Sequence, residues 1–159
     1  MAEILIVYYS RTGKTRMLAE KLASLLAGRV EEIREQKDRS GARGFLSGGK
    51  DALLGRPATL TSQHSVEGAK AVVIGMPVWA NRPPPAVRAY LDALDLTGKP
   101  VCAFCTHDGS GGKKTFAALE GLLGRPLRET IEFKKPKADD PGLLARLQEW
   151  AERVRKAAA

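Results

Sequence analysis

Apolar runs and amphipathic runs take turns along this chain, and that alternation limits its possible folds more than any single motif does. "ILIVYY" (4–9) reads as a buried strand. Leu18, Leu22, Leu25 and Leu26 then recur at helical spacing, stopped by Gly28. A weaker strand, "VEEIR" (30–34), follows, and "AVVIG" (71–75) is a second buried one. Val87, Tyr90, Leu91 and Leu94 form a helix face entered through Pro83 to Pro85 and ended near Gly98. "VCAFC" (101–105) is a third buried strand, and Phe116, Leu119, Leu122 and Leu123 line a helix closed by Gly124. "LRETIEF" (127–133) alternates apolar with polar, and Asp140-Pro141 opens a last helix through Leu143, Leu147, Trp150 and Val154.

Such an order predicts an α/β fold in three layers, with a five-stranded parallel sheet covered by helices on both faces. The first, third and fourth strands are uniformly apolar, as central strands are; the second and fifth carry charges, as edges do. Right-handed crossovers then give a doubly wound sheet of order 2-1-3-4-5. Ligands of such sheets sit beyond the carboxyl ends of the strands at the switch point. The loops at 10–15, 76–82 and 105–112 are therefore the candidate site.

At 159 residues, with 43% apolar and 28% charged residues, the expectation is one folded domain over 1–159. No apolar run approaches the roughly 20 residues that cross a bilayer. The opening "MAEILIVYYS" lacks the basic start of a signal peptide, so no membrane partner is expected and the expected compartment is the cytoplasm. The net charge of +8 favours anionic partners. The cations are spread without a dense block or nucleic-acid-binding signature, which argues against nucleic acid as the partner.

The first loop, "SRTGKT", ends like a Walker A motif, but Tyr8 stands where that motif needs its opening glycine. Nor does a strand end in the aspartate that would hold magnesium: the third and fourth end in "IGMP" and "FCTH". Joined to a helix N-terminus, the loop still suits a phosphate, with Ser10, Thr12 and Thr15 supplying hydroxyls and Gly13 a tight turn. A helix start capped by Thr12 is the plainer alternative. In the second loop, Trp79 has two roles open to it: stacking on a planar ring, or covering neighbouring side chains.

"ILIVYYSRTGKTRMLAEKLA", "GMPVWANRPPPAVRAYL" and "CTHDGSGGKKTFAALEGLLG" together resemble the flavodoxin-like FMN proteins, over all three loops and nearly the whole strand–helix frame. An uninterrupted fifth strand resembles the short-chain type. The resemblance implies that Ser10, Arg11, Thr12, Gly13, Lys14 and Thr15 cradle the FMN phosphate. It implies that Pro77, Val78, Trp79, Ala80 and Asn81 line one side of the isoalloxazine. Thr106, His107, Asp108, Gly109, Ser110, Gly111 and Gly112 would line the other side and the pyrimidine end. The implied function is electron transfer between a nicotinamide nucleotide, NAD(P)H, or a redox partner and a small acceptor such as a quinone. A one-electron carrier docking an acidic redox protein, and a flavin-free binding module of the same fold, stay open.

Three departures from typical flavodoxins favour two-electron chemistry. Ala80 takes the place of a glycine whose peptide can turn towards the one-electron-reduced ring, and a positive φ costs an alanine about 1 kcal/mol. The third loop carries no Tyr, Trp or Phe, which leaves one side of the ring open. The chain is basic where flavodoxins are acidic. No side chain stands out as an acid–base catalyst, His107 being the one weak candidate.

Cys102 and Cys105 lie three apart in a strand, on opposite faces, and read as structural rather than redox-active. Cys105, at the strand end, could lie near the flavin. His64 sits in a polar stretch and is expected to be exposed; no metal site is expected. The glycine-rich segment 41–60 reads as a long excursion, helical only around Ala52 to Leu54. Two roles are open to it: a lid whose Phe45 and Leu46 cover the flavin or a partner, or a purely structural turn of helix.

Overall fold

The computed structural model describes residues 3–56 and 58–159. The start of the N-terminal stretch and one position of the 41–60 segment therefore lie outside the described residues. Five strands, β1 (Glu3–Tyr8), β2 (Arg29–Glu32), β3 (Ala69–Pro77), β4 (Val101–His107) and β5 (Thr130–Lys134), form one parallel sheet of order β2-β1-β3-β4-β5. Helices α1 (Lys14–Leu26), α2 (Gly41–Leu53), α3 (Pro85–Ala93), α4 (Gly112–Leu123) and α5 (Pro141–Ala158) complete the α/β doubly wound, three-layer fold.

Period-two alternation sends successive side chains of one strand into two separate cores. Leu5, Val7, Val72, Ile74, Met76, Ala103 and Cys105 face the side covered by α3 and α4, where they meet Val87, Tyr90, Phe116 and Leu119. Ile6, Tyr8, Val73, Cys102 and Phe104 face α1 and α5, where they meet Leu18, Leu22, Leu147, Trp150 and Val154. The two cysteines accordingly occupy opposite faces, both free and buried. Burial pushes the Cys102 thiol up to about 11 and the Cys105 thiol up to about 12, so neither is a ready thiolate. Gly75 is required where it stands, because the Phe104 ring of the neighbouring strand occupies the space a Cβ would need.

Two elements differ from the expected ones. Strand β5 starts at Thr130 rather than 127: Arg128 N–H and Glu129 C=O still bond to the flank of β4, but the run is not yet regular strand. The 41–60 segment is not a loop with one helical turn: residues Gly41–Leu53 form a 13-residue helix. Four glycines lower its intrinsic helix propensity by up to about 1 kcal/mol each, which hides it from a propensity reading. At two of them packing admits no side chain. A Cβ at Gly44 would overlap the Arg39 backbone, and one at Gly48 would lie 2.7 Å from the Trp79 ring. Among the described residues no helix is long and apolar enough to cross a membrane.

Candidate functional site

Beyond the carboxyl ends of β1, β3 and β4, the three loops and α2 enclose a cavity of about 220 Å³. The first loop contributes Arg11, Thr12, Lys14 and Thr15, and the second Pro77, Val78 and Trp79. Thr106, His107 and Asp108 come from the end of β4 and its loop, and Phe45 from α2. Ser10 lines a neighbouring cleft on the β2 side instead. Gly13, Ala80, Asn81, Gly109, Ser110, Gly111 and Gly112 do not line the cavity; several of them shape it.

Gly13 is the residue before α1, at φ 96°, and no side chain caps the helix. Capping by Thr12 is therefore not what the structure shows. Ser10 Oγ instead accepts the Gly13 N–H at 3.0 Å, closing the loop on itself. The first turn of α1 holds no acid, so its positive dipole end faces the cavity without a built-in counter-charge. The Thr15 and Thr106 hydroxyls are buried and share a hydrogen bond at 2.9 Å, joining the first and third loops. Lys14 and Asp108 form an exposed ion pair at 3.5 Å across the mouth.

In the second loop, Ala80 and Asn81 both have positive φ, 51° and 61°, in a tight turn closed by reciprocal Trp79–Arg82 backbone bonds. An alanine thus already occupies the left-handed region, so avoidance of that region is no longer an argument for two-electron chemistry. The second and third loops interlock: a Cβ at Gly111 would lie 2.5 Å from Asn81 Oδ1 and 2.8 Å from Val78 Cγ1. Gly112 leaves room for the Glu132 carboxylate. That carboxylate accepts from His107 Nε2 at 3.0 Å when the proton sits there. His107 Nδ1 is then a buried acceptor with no partner among the described residues, on a side chain that lines the cavity.

Trp79 is 6% exposed and takes the covering role rather than standing free. Its ring meets Tyr9 edge-on at 5.4 Å, lies against Gly48 of α2, and has the Arg39 guanidinium 5.5 Å from its centre. Arg39 is itself buried. It donates to Glu35 Oε1 and Asp51 Oδ2, each at 2.7 Å, while the Tyr9 hydroxyl donates to Glu35 at 2.6 Å. Burial pushes Asp51 up, but the hydrogen bonds and charges of Arg39 and Lys37 outweigh it and hold the carboxyl at about 2. Burial and Glu35 together push the Tyr9 phenol far above its ordinary value. This network fastens α2 over Trp79. Sequence reading missed it, because residues 35–39 are not helical and the spacing of Glu35 and Arg39 carries no pairing signal outside a helix.

Phe45 does cover the cavity, with Arg11 5.5 Å above its ring; Leu46 points away and is exposed. Cys105 is fully buried and does not reach the cavity. The His64 side chain is not exposed: it is 4% accessible, held between Ser62 Oγ at 2.6 Å and Glu31 at 3.0 Å. Its polar neighbours are what bury it, since they tie the 60–66 segment to the edge strand.

The flavodoxin family model matches residues 3–137. No curated protein sequence is significantly similar to this one. Among solved structures, a Bacteroides uniformis protein assigned as a flavoprotein superposes with a TM-score of 0.78 at 21% identity, covering 95% of this chain and 98% of its own. A Lactobacillus acidophilus flavoprotein in complex with FMN gives 0.70 at 21% identity, over 83% and 93% of the two chains. Oxidised flavodoxin 2 of Bacillus cereus gives 0.65 at 17% identity, over 98% and 99%.

Proposed function

This chain belongs to the flavodoxin family, and on that footing we propose that it binds FMN non-covalently and passes electrons through it. The observation that carries the reading is the opening of α1: a left-handed Gly13, no capping side chain and no first-turn acid, at the switch point of the sheet. The FMN held by the Lactobacillus acidophilus relative supports the choice of ligand.

In this reading Arg11, Thr12, Lys14 and the N–H groups of the first turn hold the phosphate, with Ser10 free to release Gly13 N–H to it. The flavin would supply the redox chemistry; the protein binds, orients and shields it. Val78 and Trp79 wall one side, and Phe45 shuts out water from above. Asp108, Gly109 and Ser110 are exposed and small or polar, which leaves a way in for a second reactant.

The donor and acceptor we propose are NAD(P)H and a small molecule such as a quinone, in the cytoplasm and within one domain. An acidic redox protein is the alternative partner that the net charge of +8 favours. Flavin absorption bands in the purified protein, or quenching of FMN fluorescence on titration, are the expected results. A preparation that is colourless after incubation with FMN and removal of unbound flavin would overturn the reading and leave a flavin-free binding module. Steady-state NAD(P)H oxidation with a quinone then separates reductase from carrier.

A further inference from the structure

A second cavity, also about 220 Å³, opens between the end of α2, the start of α3 and the middle of α4, apart from the flavin-loop cavity. Three arginines border it: Arg56, Arg82 and Arg88. We propose that this cavity binds a small organic phosphate, its phosphoryl group held by those guanidinium groups and its body against Pro83, Ala118 and Leu122. The proposal does not rest on flavin loading.

The charge balance points to an anion. Among the described residues, neither Arg82 nor Arg88 has a carboxylate partner, and Arg56 reaches only Asp51, at 3.4 Å. That carboxylate is already engaged by Arg39 at 2.7 Å and Lys37 at 3.0 Å, so it offers little to three further cations. Three cations bordering one concavity, with little carboxylate to neutralise them, attract an anion. The first turn of α3 holds no acid that would offset them.

Shape and stoichiometry favour phosphate over carboxylate. One guanidinium can satisfy a carboxylate by itself, whereas a phosphoryl group offers three acceptor oxygens and up to two charges. Gly55, at φ 64°, leaves the approach clear: a Cβ there would lie 3.1 Å from Arg88 Nη1. The lower wall is uncharged, with Pro83, Ala118 and Leu122 suiting a ring or short chain better than bare inorganic phosphate.

Phenyl phosphate is the probe, titrated into FMN-loaded protein freed of unbound FMN and followed by amide chemical shifts. The expected result is saturable shifts confined to 51–56, 82–88 and 118–122, weakened by added salt. Arg88→Ala should lower the affinity about tenfold. Arg88→Lys, which keeps the charge but not the fork, should fall between. FMN affinity should be unchanged in both variants, so a failure here is distinct from a failure of the flavin reading. Shifts mapping elsewhere, equal binding of phenol, equal binding of inorganic phosphate, or an Arg88→Ala variant with unaltered affinity would each overturn the proposal.

Discussion

Helices α5 and α2 are fastened to the same body by opposite means. α5 buries Leu143, Leu147, Trp150, Ala151 and Val154 against the sheet, with Phe104 edge-on to Trp150 at 6.3 Å. Each large side chain so buried contributes roughly 1.5–3 kcal/mol, and none depends on an accurate angle. α2 turns Gly44, Gly48, Asp51 and Ala52 inward, while Phe45, Leu46 and Leu53 remain exposed. Its inward face has almost no hydrocarbon to bury. What holds it is directional: Arg39 clasped by Glu35 and Asp51, with glycines letting the helix lie flat on Trp79. Non-directional burial makes a permanent part of the core, whereas a few specific bonds make a part that can be released. α2 is the one beside the candidate site.

The largest expected effect breaks that distinction at its centre. Arg39→Ala leaves the buried Glu35 carboxylate without its counter-charge and Asp51 with only Lys37 and Arg56, which costs about 3 kcal/mol. Because those carboxylates serve α2, amide exchange should rise about a hundredfold across 41–53 and little in α5. In a Trp150→Phe background, Trp79 emission should shift to the red as the helix leaves its ring. Exchange rising equally in both helices would show that α2 is not a separately held element.

Acid gives a graded version of the same experiment. Asp51 is held at about 2 against an ordinary 3.8, chiefly by Arg39 and Lys37 working against burial. A carboxylate depressed on folding stabilises the folded state above its unfolded value and loses that contribution as pH falls through the folded one. The Asp51 contribution should thus be complete above about pH 4 and fade towards pH 2. Trp79 emission in the same background should change in that window before the far-ultraviolet signal of the whole fold does. Asp51→Asn should lower stability at neutral pH and flatten the acid step. Coincident transitions in the unsubstituted protein would count against local release.

The same contrast explains what could be read in the sequence. α5 declares itself through Asp140-Pro141 and a regular apolar stripe, and the sheet order follows from which strands carry charges. These are local patterns, each contained within one element. The three loops were legible for the same reason, since a strand end and a helix start define them. α2 was not, because its glycines lower helix propensity and make sense only through packing. Gly44 lies against the Arg39 backbone just before the helix, and Gly48 against Trp79 of the second loop. The burial of Trp79, the pairing of Thr15 with Thr106 and the enclosure of His64 are likewise long-range facts. Ala80 shows the converse: local preference argues against a positive φ, and the closed turn imposes one.

The smallest effect belongs to the end of α5. Asp140 Oδ1 accepts the Gly142 N–H at 2.9 Å, the one side-chain cap of a helix start among the described residues. Removing it with Asp140→Ala should cost about 1 kcal/mol, read as a lowered urea midpoint with an unchanged slope. FMN affinity should be unaltered, because Asp140 is not among the residues of the three loops and its bond to Gly142 N–H stays within its own turn. At α1 the balance is reversed: an uncapped start forgoes that stability and, in the proposed reading, leaves its first-turn N–H groups for the phosphate. A change in FMN affinity on Asp140→Ala would mean that the two ends are coupled through the sheet, and that the bare opening of α1 is not by itself what makes the cradle.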